Sequence, residues 1–266
     1  MSVLIAIPFY VAVATFVAAA GLSLLYLRNA QDTVLARAKR TAAAANVLLA
    51  VVFGIRWAQW GLLPMTGITD SLNLFLILCT GIILTVQRDN AMKPLLVYYL
   101  PALALLALIS ASVAHQHLGE SPKALNSAFL TFHVGLVFLA FSLFFVASLT
   151  SMGYMFKARH LKQHDMTGWA RRLPSLELLD RTLYRLISVG YPVFVLTTVV
   201  GFVWAYFDRD LLGPMWFASP KILISFIIVA LYAVSFHTRR FGLLRGPKLA
   251  YLVFFGFSGV LIAYLA

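Results

Sequence analysis

The sequence has little charge and almost no cysteine. Only 11% of its 266 residues are charged, whereas 62% are hydrophobic and the mean hydropathy is +0.90. This composition excludes an ordinary soluble domain and indicates a polytopic membrane protein. The single cysteine, Cys79, lies within an apolar run, which excludes an intramolecular disulfide, a CxxC redox pair and a zinc site built from thiolates.

Motifs typical of enzymes are also absent. The chain contains no GxGxxG, GxxxxGK[ST], HExxH or GxSxG pattern. It also offers no evident activated nucleophile, acid–base pair or cage of metal ligands. We therefore expect no enzymatic activity and no metal site built from protein ligands alone.

Long apolar runs dominate what is present. A hydrocarbon layer about 30 Å thick requires roughly 20 mostly apolar residues per helical span. We predict an all-α, polytopic membrane helical bundle that forms one integral-membrane domain over residues 1–266. The eight predicted transmembrane helices lie near 3–27, 41–63, 70–86, 95–114, 125–155, 183–207, 219–237 and 248–265. The fifth run contains no proline and is long for a bilayer, so its helix should continue past Gly153 beyond the membrane surface.

The basic residues predict the orientation. Of the 21 Lys and Arg residues, 17 lie in alternate connections between the predicted spans. Because cytoplasmic loops retain positive charge, these connections should be cytoplasmic and both termini should lie outside. The net charge of +12 is thus explained by topology and by attraction to the anionic headgroups of the bilayer. It is spread over four loops, which argues against a nucleic-acid partner.

The longest basic connection, 156–182, contains a helical pattern. In "LPSLELLDRTLYRLI" the leucines recur at helical spacing, while charged residues take the opposite face. This pattern predicts an amphipathic helix at the cytoplasmic interface that leads into the sixth span. It would serve as an anchor on the membrane surface or as a docking site for a protein partner.

The six histidines are candidates for chemistry, and two of them lie within or at the end of a predicted span. His133 lies inside the predicted fifth span, about two turns from the outer surface, where an ionisable group is a functional hypothesis by default. The alternative is a neutral histidine bonded to a neighbouring helix. His237 ends the predicted seventh span at the cytoplasmic edge, where it could also be a simple interfacial residue.

Four segments carry a resemblance to a known family. The chain resembles the haem-handling cytochrome c assembly family, the CcsA/CcmC/HemX group, and most of all its short YpjD-like or HemX-like inner-membrane branch. The segments are "IRWAQWGLLPMTGITDSL", "FHVGLVFLAFSLFFVASL", "LPSLELLDRTLYRLISVGYPVFVLTTVVGFVWA" and "SPKILISFIIVALYAVSFHTRRFGLLRGPKLAYLVFFGF". The resemblance covers roughly 47–262 and implies a location in the bacterial inner membrane and haem as the cofactor.

The larger members of this family present haem on an outer platform of the form WGxxWxWDPK. Here Trp204 matches the end of the preceding span, and Trp216 and Lys221 match positions within the platform. The family's other two tryptophans and its aspartate are replaced by Leu212, Ala218 and Ser219. The resemblance implies that Lys221 could pair with a haem propionate and that Trp204 or Trp216 could stack on the macrocycle. The alternative is that both tryptophans form an aromatic belt at the outer interface.

The histidines match the family only in part. His133 corresponds to its first outer histidine and His237 to its later membrane histidine, but each lacks the family's partner histidine. Leu49, for example, occupies the place of the earlier membrane histidine. Because His133 and His237 should lie about 20 Å apart, they are not expected to ligate one haem together.

Two functions follow from these observations. The first is a haem-associated membrane factor without catalytic activity. It would bind or sense haem through His133 or His237, with Trp204, Trp216 and Lys221, and support cytochrome maturation or haem synthesis. The alternative is a non-haem membrane scaffold or regulator that acts through its cytoplasmic loops on a partner protein. A cleft at His133 with a tryptophan at its rim would favour the first function.

Overall fold

The computed structural model describes residues 3–60, 67–114, 128–164, 168–207, 209, 213, 215–240 and 246–265. Within these ranges the chain has helices, turns and no strand, so the predicted all-α class is confirmed. The helices are α1 Val3–Asn29, α2 Asp32–Trp60, α3 Ile68–Val86, α4 Leu96–Val113, α5 Ala128–Lys162, α6 Gly168–Arg172, α7 Leu176–Phe207, α8 Pro220–Arg240 and α9 Pro247–Leu265. The 3-10 turns Asn90–Leu95 and Trp216–Ala218 precede α4 and α8.

Within the described residues, seven helical segments are long and apolar enough to cross a membrane. They are Ile5–Asn29, Asp32–Gln59, Ile68–Val86, Asn90–Val113, Thr131–Lys162, Leu176–Phe207 and Pro220–His237. The prediction of a multi-pass membrane protein is therefore confirmed. Helix α9 occupies the predicted eighth run but is not among the seven, so the eighth span and the outside location of the termini stay predictions.

The two longest helices, α5 and α7, exceed by far the length that a bilayer requires. Helix α5 has 35 residues and passes through Gly153 without a break, as predicted. At 1.5 Å per residue it is about 52 Å long, against a hydrocarbon layer of about 30 Å. Helix α7 has 32 residues, so the predicted amphipathic segment and the sixth span form one continuous helix. The interfacial position of its first turns stays a prediction.

The chain packs as two compact units. The first comprises Met1–Ala128 with Arg172–Pro174, and the second comprises Phe129–Arg171 with Ser175–Ala266. In the first unit α1 packs on α2 and α4, and α3 packs on both α2 and α4. Small residues are fully buried in this unit, for example Ala12 on α1 and Ala38 on α2. Small side chains let helix backbones approach closely in a membrane, where van der Waals packing drives association.

A buried ion pair joins α2 to α3 in the first unit. The Arg56 guanidinium contacts the Asp70 carboxylate through both of its terminal nitrogens, with Nη1–Oδ1 at 2.7 Å and Nη2–Oδ2 at 3.0 Å. The side chains are 13% and 2% exposed. Next to Asp70 along α3, the Asn73 amide oxygen accepts a hydrogen bond of 2.9 Å from the Ser110 hydroxyl of α4. Polar side chains therefore connect three apolar helices.

An aromatic cluster forms the interior of the second unit. Phe144 of α5 stacks on Tyr232 of α8, with 3.6 Å between ring centroids and 9° between planes. The Phe144 ring also contacts Phe194 of α7 edge-on, with 5.8 Å between ring centroids. Gly190 of α7 makes room for this ring, because a Cβ there would lie 2.9 Å from a ring carbon of Phe144. The cluster fixes α5, α7 and α8 around a common point.

Candidate functional site

The imidazole of His133 packs against the backbone of α7 at Gly201. A Cβ built on Gly201 would lie 2.5 Å from Cε1 of His133 and 3.1 Å from each ring nitrogen. One turn earlier on α7, the Thr197 hydroxyl lies 3.1 Å from the His133 carbonyl oxygen and 3.4 Å from Nδ1. His133 thus faces a neighbouring helix and not only hydrocarbon, as expected for an imidazole inside a span.

Thr197 is the hydrogen-bonding neighbour of the His133 ring. A hydroxyl has one proton to donate, and the carbonyl oxygen of His133 can only accept. When the Thr197 hydroxyl donates to this carbonyl, its oxygen can only accept from the ring, so in the neutral imidazole Nδ1 is protonated. In that arrangement Nε2 keeps its lone pair and is the ring nitrogen that could ligate a metal.

A cavity of about 480 Å³ lies beside His133 in the second unit. Its volume falls within the range of about 300–1,000 Å³ that is typical of small-molecule sites. The residues that line it are His133, Thr198, Gly201, Phe202, Trp204, Ala205, Met215, Trp216, Ser219, Lys221, Ile222, Ser225 and Phe226. Most of these side chains are apolar or aromatic, and His133 and Lys221 supply the ionisable groups.

The cavity brings together four of the five residues that the sequence singled out. His133 comes from α5, Trp204 from α7, Trp216 from the 3-10 turn and Lys221 from the first turn of α8. The Trp216 ring is fixed by Phe202, with 5.2 Å between ring centroids. Lys221 is exposed, so its aliphatic stem can line the cavity while its ammonium group reaches solvent.

His237, the fifth residue, does not line this cavity. It lies 16 residues after Lys221 on α8, which is about 24 Å along the helix axis. Its Nδ1 is 2.9 Å from the carbonyl oxygen of Ala233, and its ring contacts Phe236 edge-on at 5.1 Å. The expectation that His133 and His237 cannot share a ligand agrees with their separate surroundings.

Thr197 and Gly201 are the site residues that the sequence analysis missed. They lie four residues apart in the apolar run "TTVVGF" and therefore on the same face of α7. A hydroxyl and a glycine at this spacing were the available signal. What the pattern alone could not provide is the partner, because nothing in the sequence brings this face of α7 against His133.

Comparison with known proteins identifies the family. The model of the cytochrome C assembly protein family matches residues 65–266, which is about three quarters of the chain. The chain therefore belongs to the cytochrome c assembly family, and the resemblance found in the sequence is confirmed.

Individual relatives are more distant. The chain is 26% identical over 234 residues to the cytochrome c biogenesis protein CcsA of Chlamydomonas reinhardtii, covering 83% of this chain and 62% of that protein. It is 28% identical over 252 residues to CcsA of Prochlorococcus marinus strain MIT 9303, covering 84% and 78% of the two chains. Protein HemX of Bacillus subtilis strain 168 is 29% identical over 147 residues, covering 55% and 52%. The chain thus spans less than two thirds of the Chlamydomonas protein.

Proposed function

We propose that this protein is a non-catalytic, haem-associated membrane factor that binds haem in the cavity beside His133 and supports cytochrome c maturation or haem synthesis. The observation that carries the proposal is the shared cavity. An imidazole, two tryptophans and a lysine line one mostly apolar cleft of about 480 Å³. Membership of the cytochrome c assembly family supports the choice of haem over other flat apolar molecules.

The residues of the cavity fit a haem with one protein ligand. When bound, haem would supply an iron centre for one imidazole, an apolar macrocycle and two propionates. His133 could ligate the iron through a ring nitrogen, and ligation by a single histidine is a known mode of holding haem. The indoles of Trp204 and Trp216 can cover the macrocycle, and the Lys221 ammonium can pair with a propionate. No second histidine lines the cavity in the part of the chain described here.

Other features of the site orient the His133 ring and favour the release of haem. The Thr197 hydroxyl contacts Nδ1 of the His133 ring, and Gly201 leaves room for the Cε1 edge of that ring against α7. A single protein ligand in a cleft with an exposed lysine favours a site from which haem is passed on. This supports a handling role over that of a permanently haem-loaded electron carrier.

Absorption spectroscopy tests the proposal directly. The protein is purified after haem-replete expression, and its Soret band is compared among the natural protein, His133→Ala and His237→Ala. We expect a Soret band in the natural protein that is lost in His133→Ala and retained in His237→Ala, since only His133 lines the cavity. Absorbance at background in the natural protein, or an unchanged band in His133→Ala, would contradict the proposal.

A scaffold that does not bind haem is the second candidate. It is favoured by the length of α5, which exceeds the hydrocarbon layer by about 22 Å and ends in the basic residues Arg159 and Lys162. Such an overhang offers a surface to a protein partner. A protein free of haem that still captures the same partner after His133→Ala would favour this function.

We also propose that the protein lies in the bacterial cytoplasmic membrane, with its basic connections in the cytoplasm. The support is the concentration of 17 of the 21 basic residues on one side of the predicted topology. A reporter fused after Ala266 should be active only outside the cytoplasm. A fusion that is active only in the cytoplasm would show that the orientation is inverted.

A further inference from the structure

A second cavity, of about 520 Å³, lies in the first unit and shares no lining residue with the cavity beside His133. It is formed by three segments that are far apart in sequence: the α1–α2 turn, the 3-10 turn before α4, and the short stretch 172–174. The lining residues are Tyr26, Asp32, Asn90, Ala91, Lys93, Pro94, Arg172, Leu173 and Pro174. All three segments lie in or next to connections that the sequence predicts to be cytoplasmic.

The position of this cavity relative to the helices fixes its depth. Tyr26 is close to the end of the candidate span Ile5–Asn29, while Asp32 and Asn90 begin the spans Asp32–Gln59 and Asn90–Val113. The ends of spans lie at the level of the polar headgroups, outside the hydrocarbon core. The cavity therefore opens where lipid headgroups are the most concentrated solutes.

Arg172 is held in place by backbone groups and not by an acid. Its Nη1 lies 3.3 Å from the carbonyl oxygen of Tyr26 and 3.5 Å from that of Leu27. Its guanidinium carbon lies 5.6 Å from the centre of the Tyr26 ring. Because these contacts use only one of its nitrogens, the guanidinium keeps further N–H donors for a ligand.

The charges on the wall of the cavity are not paired with one another. Lys93 is half-buried, and in the described ranges no carboxylate lies within 4.0 Å of Lys93 or Arg172. Asp32 lines the same cavity without contacting either cation. Two cations and one separate carboxylate match a ligand with a phosphate at one end and an ammonium group at the other.

We propose that this cavity binds the headgroup of an aminophospholipid. Lys93 and Arg172 bind the phosphodiester, since a guanidinium fork matches two phosphate oxygens and basic pockets between helices recognise lipid headgroups. Asp32 pairs with the ammonium group and disfavours headgroups that lack it. Tyr26 and Pro94 also line the cavity, and they would lie against the glycerol and the first part of the acyl chains. The bound lipid would contact all three segments.

Native mass spectrometry of the full chain, released from nanodiscs, tests this assignment. The nanodiscs contain equal amounts of phosphatidylethanolamine and phosphatidylglycerol with identical acyl chains in a phosphatidylcholine background. Lys93→Gln and Arg172→Gln should each lower the retained phosphatidylethanolamine about five-fold, the effect expected for one basic residue at a lipid surface. The natural protein should retain phosphatidylethanolamine over phosphatidylglycerol, and Asp32→Asn should abolish that preference.

The chain offers matched controls for both cations. Arg88 and Arg171 are exposed, lie close in sequence to Lys93 and Arg172, and do not line the cavity. Arg88→Gln and Arg171→Gln remove the same charge and should leave lipid retention unchanged. Equal losses of retained lipid in these controls would mean that diffuse electrostatic attraction holds the lipid, and the proposal would fail.

Two further arms separate the remaining explanations. Arg172→Gln could loosen the end of α1. Two variants test the site without that complication: Arg172→Lys keeps the charge, and Lys93→Gln leaves Arg172 intact. If inorganic phosphate displaces the retained lipid at equal occupancy, the site takes a free phosphate and the lipid assignment is wrong. No preference for phosphatidylethanolamine in the natural protein would overturn the role of Asp32.

Discussion

The contact between Gly201 and His133 gives a prediction that does not depend on any ligand. In Gly201→Ala the new methyl group would lie 2.5 Å from Cε1 of His133 and 3.1 Å from both ring nitrogens. Carbon atoms in favourable contact are about 3.5–4.0 Å apart, so the ring must move by about 1 Å or more. A shift of this size would lengthen the 3.4 Å contact between Nδ1 and the Thr197 hydroxyl.

The expected change in the free energy of unfolding of Gly201→Ala is the sum of two opposing effects. Inserting a methyl group into a packed interior costs about 1–3 kcal/mol. Replacing glycine by alanine in a helix stabilises the helix by about 1 kcal/mol, because alanine has the higher helix propensity. Gly201→Ala should therefore destabilise the natural protein by about 0–2 kcal/mol. In the His133→Ala background the clash is gone, and the same change should stabilise by up to about 1 kcal/mol.

A double-mutant cycle measures this difference. The free energy of unfolding is obtained by titrating mixed micelles with a denaturing detergent for the natural protein, both single variants and the double variant. We expect a coupling energy of about 1–3 kcal/mol between positions 133 and 201. Gly135→Ala, two residues beyond His133 on α5, is the matched control, because a Cβ there meets nothing within 4 Å. Equal destabilisation by Gly201→Ala in both backgrounds would refute the proposed contact.

Three other predictions concern side chains inside the helices. Arg56→Leu should lower the free energy of unfolding by about 3–5 kcal/mol, because it leaves the Asp70 carboxylate buried without its partner. The double variant Arg56→Leu/Asp70→Leu should lose less than this, and an additive loss in the same titration would show that the pair is not coupled. Ser110→Ala should cost about 0.5–1.5 kcal/mol by removing the hydroxyl donor to the amide of α3, and no measurable loss would count against that bond. Thr197→Val should accelerate haem loss about 10–100-fold and shift the Soret band, whereas Thr197→Ser should keep the natural rate of haem loss and the natural band. A natural spectrum in Thr197→Val would show that Thr197 is not part of the site.

The sequence by itself determined the class of protein and much of its layout. Apolar runs and scarce charge are properties of composition, and a helix is the local way to satisfy every backbone group in a membrane. For this reason the all-α class, the multi-pass character and the unbroken course of α5 through Gly153 could all be predicted. Family membership could also be predicted, because ordered segments of sequence carry it directly.

The tertiary structure alone decided which side chains meet. Periodicity places Thr197 and Gly201 on one face of α7, but only packing brings that face against His133 and makes the glycine necessary. The same holds for Arg56, whose carboxylate partner lies on the next helix. It also holds for Lys93 and Arg172, which are 79 positions apart yet line one cavity. Helical spacing is local, whereas a site depends on contacts between distant segments, and those contacts are set by how the helices pack.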